Sequence, residues 1–391
     1  MSAMTPDEQA DGPPADGPPA DGPLADLRVI DVATVVAGPG CARYLADFGA
    51  EVIKVERPGG DTVRDLGWKD PRDDTSVWWK IVSRNKRTIE LDLKDSEDLA
   101  VMRELCDSAD VLVENFRPGT LERLGLAPDL LHETNPNLVI TRVTGFGQSG
   151  PYRDRTAFAT QAEALSGFAA INGEPDGAPL LPPIALTDEV TAIVAAFATM
   201  VAVHSGVGQV VDVNLMESML QLMGPLVPLY GMFGRTQERL GAGIPYTVPR
   251  NTYRCSDGHW VAVSSSAETV AQRVLELIGL GGDERFVGFD ARVAHRELID
   301  ERLGDWVGAR TRDEVLDEFE RVNAAVAPVY DMADIFADPH YRERGAVKTV
   351  DGVPMPDVVA RLSRTPGRVR WAGRSLDADG PTIRGELGQT S

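Results

Sequence analysis

From Leu27 onward, short apolar runs alternate with amphipathic stretches. Leu27–Ala33 (LRVIDVA) is apolar and of strand length. Gly38-Pro39-Gly40 then opens a helix that runs to about Phe48 and closes at Gly49, and Ala50–Glu56 (AEVIKVE) is a second strand. A strand, helix and strand within about 30 residues pair their strands in parallel. Thr88–Leu93 is a third strand. Ser96 is placed to cap a helix over Glu97–Ser108, where Leu99, Met102 and Leu105 recur at helical spacing. Asp110–Glu114 and Leu138–Val143 add two more strands. This alternation predicts an α/β domain around a mostly parallel sheet.

The second half reads differently. An Ala-rich helix is predicted over Asp188–Val203, after Pro182-Pro183, and Gln209–Asn214 is one more strand. Leu215–Leu226 is apolar and Met-rich, which predicts burial at a domain or subunit contact. After Gly241 the texture changes. Tyr253–Val263 reads as a hairpin around Asp257-Gly258, followed by helices near 267–279, 295–304 and 312–322. The expected domains are 26–220 (first part of a large α/β domain), 221–244 (linker), 245–330 (a smaller α+β domain) and 331–391 (linker and return to the large domain). Residues 11–25 spell DGPPA-DGPPA-DGPLA, so residues 1–25 are expected to be a disordered tail, because this composition builds no core.

Length and charge narrow the partners. A chain of 391 residues has room for two domains and a sizeable core. Its formal net charge of -21 repels phosphate backbones and anionic lipid, so neither nucleic acid nor a membrane is an expected partner. A polyanionic ligand must then meet a local basic pocket. The three cysteines, Cys41, Cys106 and Cys255, form no C-x-x-C pair and suit a reducing cytoplasm. The N-terminus has neither the basic nor the apolar region of a signal peptide. The longest apolar stretch, Ile193–Val203, is broken by Thr199 and is too short to span a bilayer. The five histidines are scattered, with no H-E-x-x-H, so no metal site is expected. A G-x-S-x-G elbow, the mark of one hydrolase class, is missing too.

Six segments in order carry a family resemblance. They are Val29-Ile-Asp-Val with Ala37-Gly-Pro39; Gly49–Pro58 (GAEVIKVERP); Asn85–Lys94 (NKRTIELDLK); Ala109–Gly119 (ADVLVENFRPG); Gly145–Tyr152 (GFGQSGPY); and Thr365-Pro-Gly367. Together they resemble the class III CoA-transferase family, which includes formyl-CoA and carnitinyl-CoA transferases and 2-methylacyl-CoA racemases. The likeness runs from about Leu27 to Gly388. It implies a Rossmann-like large domain built from both chain ends, a smaller inserted domain and an interlocked homodimer. It implies coenzyme A and acyl-CoA as substrates beside a carboxylic acid, with no permanently bound cofactor.

The resemblance also assigns residues. Asp188, in Ile184–Val190 (IALTDEV), matches the family's aspartate nucleophile. A carboxylate is ionised at pH 7 and attacks a thioester without a general base, giving an acyl-aspartyl anhydride and then an aspartyl-CoA thioester. A helix N-terminus would favour its charged form. The local alternative is that Asp188 or Thr187 is an N-cap. For CoA the resemblance points to Val36, Ala37, Arg57, Leu91, Asp92, Leu93, Lys94, Asn115, Phe116, Arg117, Arg123 and Phe158. Arg57, Lys94 and Arg123 would hold phosphates, each with solvated surface charge as its alternative. Gly145–Gly150 also spells G-x-G-x-x-G, but no acidic strand end follows, so a loop that closes around the active site is preferred to nicotinamide binding. Ile171–Leu181 and Gly241–Tyr246 are the expected specificity loops.

Departures from the family discriminate between its reactions. Phe158, nine residues before Gly167, stands where the racemases have an acid/base histidine, which argues for transfer over racemisation. A core role is its plain alternative. Val36 stands where formyl-CoA transferase has a CoA-contacting glutamine, and Ala159 replaces an aspartate. Leu376-Asp-Ala-Asp379 replaces the family's Leu-Gly-Glu-His. A racemase and a non-catalytic CoA-binding protein are the other readings of the same scaffold.

Overall fold

The computed structural model describes residues 22–265 and 267–388. Most of the expected tail, residues 1–21, lies outside them. Residues 22–25 are not a free tail, because the Leu24 N–H donates to the Phe48 carbonyl at 3.1 Å. The chain divides into two compact units.

The first unit runs through Val143, resumes over Ala192–Val213 and takes the chain from Lys348 onward. Its sheet has the order β3-β2-β1-β4-β5-β6, from β1 (Arg28–Asp31), β2 (Glu51–Glu56), β3 (Lys86–Glu90), β4 (Val111–Glu114), β5 (Val139–Thr144) and β6 (Gln209–Asn214). The pairs β1/β2, β1/β4, β2/β3 and β4/β5 are parallel. Parallel strands covered on both faces read as continuous apolar runs, and Val29, Ile30, Val52 and Ile53 are buried accordingly. The strand order reverses between β1 and β4. That is the switch point where doubly wound sheets hold their ligands. The last helix, Gly380–Leu387, brings Ile383 and Leu387 into the core of this sheet, so both chain ends build the unit, as expected.

Local chemistry set two boundaries differently from the sequence reading. The helix predicted at Glu97 spans Ser96–Asp107, and its cap is Asp95 rather than Ser96. The Asp95 carboxylate accepts from the Glu97 and Asp98 N–H groups at 2.9 and 3.1 Å. The Ala-rich helix extends over Leu186–Ser205, longer than its apolar stretch. At 20 residues and mean hydropathy 1.6 it meets the length and composition of a membrane span. Ala192, Ala195, Ala196, Thr199 and Ala202 nevertheless form one buried stripe at helical spacing. Thr199 satisfies its hydroxyl on the Ala195 carbonyl at 2.7 Å and lies 2.6 Å from the Thr141 hydroxyl of β5. Only this face is buried, and Ile193, Phe197 and Val201 are exposed.

The second unit comprises Thr144–Thr191 and Asn214–Val347. β7 (Arg250–Arg254) and β8 (Trp260–Ser264) form the expected antiparallel hairpin, with Gly258 at φ +88° in its turn. β9 (Val326–Pro328) completes a three-stranded sheet. Tyr253, Val261, Val263, Val274, Leu303, Val307, Val315 and Phe319 form its core. Thr144–Thr191 groups with this unit and not with the sheet that precedes it, because the helix Ala159–Leu165 packs on the helix Leu215–Leu222.

Candidate active site

In the second unit, the helix carrying Asp188 begins at Leu186. Thr187 and Asp188 therefore lie inside its first turn, and neither is the preceding residue that a cap requires. Thr187 is fully buried and spends its hydroxyl on Glu163, donating to Oε1 at 2.8 Å. Glu163 is itself buried, on the helix Ala159–Leu165. Asp188 is half-buried. Burial, then the charge of Glu163, then that of Glu189, push its carboxylic acid up to about 6. The helix end alone would have lowered it, so desolvation and two like charges outweigh the dipole. At pH 7 about ten carboxylates are ionised for each one protonated, and each is more basic than an ordinary aspartate.

Glu163 escaped the sequence reading, since a lone glutamate on an Ala-rich helix reads as a solvated charge. The available signal was its company. Ala159, Ala162, Glu163 and Ser166 recur at i, i+3, i+4 and i+7, and an acid on a stripe of small residues faces inward. Phe158, just ahead of that helix, is 67% exposed and so is not core. The two expected specificity loops are joined. The Gly241 N–H donates to Gly173 O at 3.0 Å, and Arg239 donates to Gly177 O at 2.8 Å. The G-x-G-x-x-G segment is followed by turns, with no helix before Ala159. A dinucleotide fingerprint needs a helix N-terminus there, and Gly145 instead makes room for Ala157.

In the first unit, the residues assigned to CoA follow the C-terminal ends of β1, β2, β3 and β4. Val36 and Ala37 are buried where the chain enters the helix Ala37–Asp47. Arg57 is exposed after β2, its guanidinium donating to Gly60 O at 3.2 Å. Leu91 is 1% exposed and packs in the core, which leaves only its main chain for a ligand. Asp92 and Leu93 are half-buried and Lys94 is exposed. Asp92 is occupied locally, accepting from the Lys94 N–H at 3.0 Å. Asn115 is also committed: its amide oxygen accepts from the Thr34 N–H at 2.8 Å and its amide nitrogen donates to Thr34 O at 2.7 Å. Phe116 packs against the core, Arg117 is exposed, and Arg123 is exposed with a bond to the Thr120 hydroxyl at 2.7 Å. Arg57, Lys94, Arg117 and Arg123 thus supply exposed positive charge after β2, β3 and β4 of a strongly acidic chain.

Among the described residues, no group of three or more His, Cys, Asp or Glu side chains could hold a metal ion. The three cysteines are free and buried.

Residues 24–379 match the model of CoA-transferase family III. The chain is 39% identical over 363 residues to a succinyl-CoA–D-citramalate CoA-transferase of Chloroflexus aurantiacus, covering 90% of each chain. It is 34% identical over 384 residues to a succinate–glutarate CoA-transferase of Agrobacterium fabrum, covering 92% of this chain and 94% of that one. The crystal structure of a CAIB/BAIF family protein from Brucella suis superposes with a TM-score of 0.84 at 31% identity, over 94% of this chain and all of that one.

Proposed function

The chain belongs to CoA-transferase family III and moves coenzyme A between an acyl-CoA and a carboxylic acid; on that premise we propose that Asp188 is the covalent nucleophile. The observation that carries this reading is the half-buried Asp188 carboxylate, kept basic beside Glu163 yet ionised at neutral pH. Asp188 attacks the thioester carbonyl, the C–S bond breaks, and CoA thiolate leaves an acyl-aspartyl anhydride. The thiolate attacks the aspartyl carbonyl and expels the donor acid, forming aspartyl-CoA. The acceptor carboxylate attacks that thioester and releases thiolate once more. The thiolate then takes the acceptor's acyl group and frees Asp188. Each step exchanges one anion for another, so no proton need be moved.

The relatives' names support succinyl-CoA as donor and a small dicarboxylic acid as acceptor. Phe158 carries no exchangeable proton, which favours transfer over racemisation. The helix Leu226–Phe233 has no buried residue and exposes Val227, Tyr230, Met232 and Phe233, which supports a homodimer that covers it. Three unpaired thiols support a cytoplasmic setting. The test is Asp188→Asn assayed for transfer from succinyl-CoA to dicarboxylic acids. Loss of nearly all turnover with CoA binding retained is expected, and unchanged turnover overturns the assignment.

A further inference from the structure

Five residues, Val32 to Val36, link β1 to the helix Ala37–Asp47, and side chains pin the middle three. Asp31 accepts from the Ala33 N–H at 3.1 Å, while the Lys54 ammonium donates to the Ala33 carbonyl. Asn115 closes both polar groups of Thr34, as described above. The Asp61 carboxylate accepts from the Val35 N–H, 3.3 Å from either oxygen. Val35 itself has φ +68°. A β-branched side chain strongly disfavours that left-handed region, and glycine would occupy it freely.

The pins are anchored in turn. Lys54 lies 3.4 Å from Asp61 and 3.8 Å from Asp31. The Asp61 N–H donates to Glu56 at 2.9 Å. Arg64 clasps Glu56 with two bonds of 2.7 Å and stacks on Trp79, 3.6 Å from the ring centre. Lys54, Asp61, Glu56 and Trp79 are all buried. Burying this much charge is a poor way to gain stability, but it specifies one conformation. What it specifies is a strained residue at the switch point of the sheet, immediately before Val36 and Ala37. Strain of this kind persists only where the surroundings over-determine it, and it gathers at ligand clamps.

We propose that Lys54 and Asp61 are positioning residues that lock Val35 in the left-handed conformation and so hold the Val36–Ala37 backbone in the geometry that receives the CoA ester. The inference rests on the reading of this site as a CoA site. Asp61→Ala frees Val35 to relax to negative φ. Glycine at position 35 adopts positive φ without strain, so Val35→Gly should rescue the defect.

The experiment compares wild type, Asp61→Ala, Val35→Gly and the double variant. It reads the CoA dissociation constant by calorimetry, the KM and kcat for succinyl-CoA, and the melting temperature. Asp61→Ala is expected to raise Kd and KM about tenfold with kcat within about twofold, the pattern of lost pre-organisation in binding. The double variant should recover most of that loss, and Val35→Gly alone should bind like wild type. Asp61→Asn keeps an acceptor for Val35 and removes only the charge facing Lys54. It should show a smaller rise, also rescued, and it serves if the alanine variant does not fold. A lowered melting temperature with unmoved Kd and KM overturns the proposal, as does a loss that Val35→Gly fails to rescue. Wild type that binds no CoA overturns both the proposal and the CoA reading beneath it, whereas wild-type binding with unresponsive variants overturns the proposal alone.

Discussion

Replacing Glu163 with glutamine should move the acidic limb of the pH–rate profile downward. The Asp188 acid stands at about 6 against an ordinary 3.8, and burial, Glu163 and Glu189 all act in the same direction. Burial is the largest contributor to the rise from 3.8 to about 6, so Glu163 accounts for less than half of it. Glutamine removes the charge and keeps an amide oxygen where Glu163 accepts the Thr187 hydroxyl at 2.8 Å, so the first turn of the helix stays in place. In the wild type, kcat should fall as pH drops through about 6, because protonated Asp188 is no nucleophile. In the variant the same fall should come up to about one unit lower, with a reduced plateau because the carboxylate is less basic. The assay is transfer from succinyl-CoA to a dicarboxylic acid between pH 4.5 and pH 8, with CoA affinity followed in parallel. An acidic limb that stays put or moves upward refutes the coupling. A collapse of melting temperature would show that Glu163 serves only the fold.

Three further outcomes follow from the same structure. The folded Asp188 acid lies above its unfolded value, so its protonation favours the fold. Its stabilising effect is full below about pH 4 and is lost as pH rises through about 6, which leaves a penalty near 3 kcal/mol at neutral pH. Asp188→Asn should therefore abolish transfer and raise the melting temperature at pH 7 by several degrees, with the gain vanishing at pH 4; a variant equally or less stable at pH 7 contradicts this. Arg57→Ala, Lys94→Ala and Arg123→Ala should each weaken CoA binding about three- to tenfold, with a shallower salt dependence, as expected for exposed charges on phosphate. Unchanged affinity in all three would place the phosphates elsewhere. Asp95→Ala should cost about 1 kcal/mol through the lost helix cap and leave KM unchanged, checked by denaturant unfolding and steady-state kinetics.

The middle of the sheet was legible because β1, β2, β4 and β5 are buried and rich in apolar residues. The return of the C-terminal segment to the large domain was expected, but nothing in Gly380–Leu387 names the sheet it covers. Asp188 was singled out by its motif, but its weakened acidity was not foreseen. The helix end is visible in sequence, whereas burial and the charge of Glu163 arise only when Ala159–Leu165 meets the first turn. The Asp95 cap was missed because Asp95 and Ser96 are both good caps one residue apart, and the backbone chooses between them. Val35 could not have been read at all: a valine carries no local sign of positive φ, and the charges that hold it come from β1, β2 and the turn at Asp61. The core alternative for Phe158 fails because its exposure depends on where the preceding loop leaves it.

The central claim is that Asp188 becomes covalently acylated during transfer. It is tested most directly by intact-protein mass spectrometry after incubation with succinyl-CoA, quenching with hydroxylamine or borohydride, and peptide mapping. The account predicts a hydroxamate or a reduced side chain at Asp188, missing in Asp188→Asn. Rapid transfer with no modification at Asp188, or with one at another carboxylate, would contradict it.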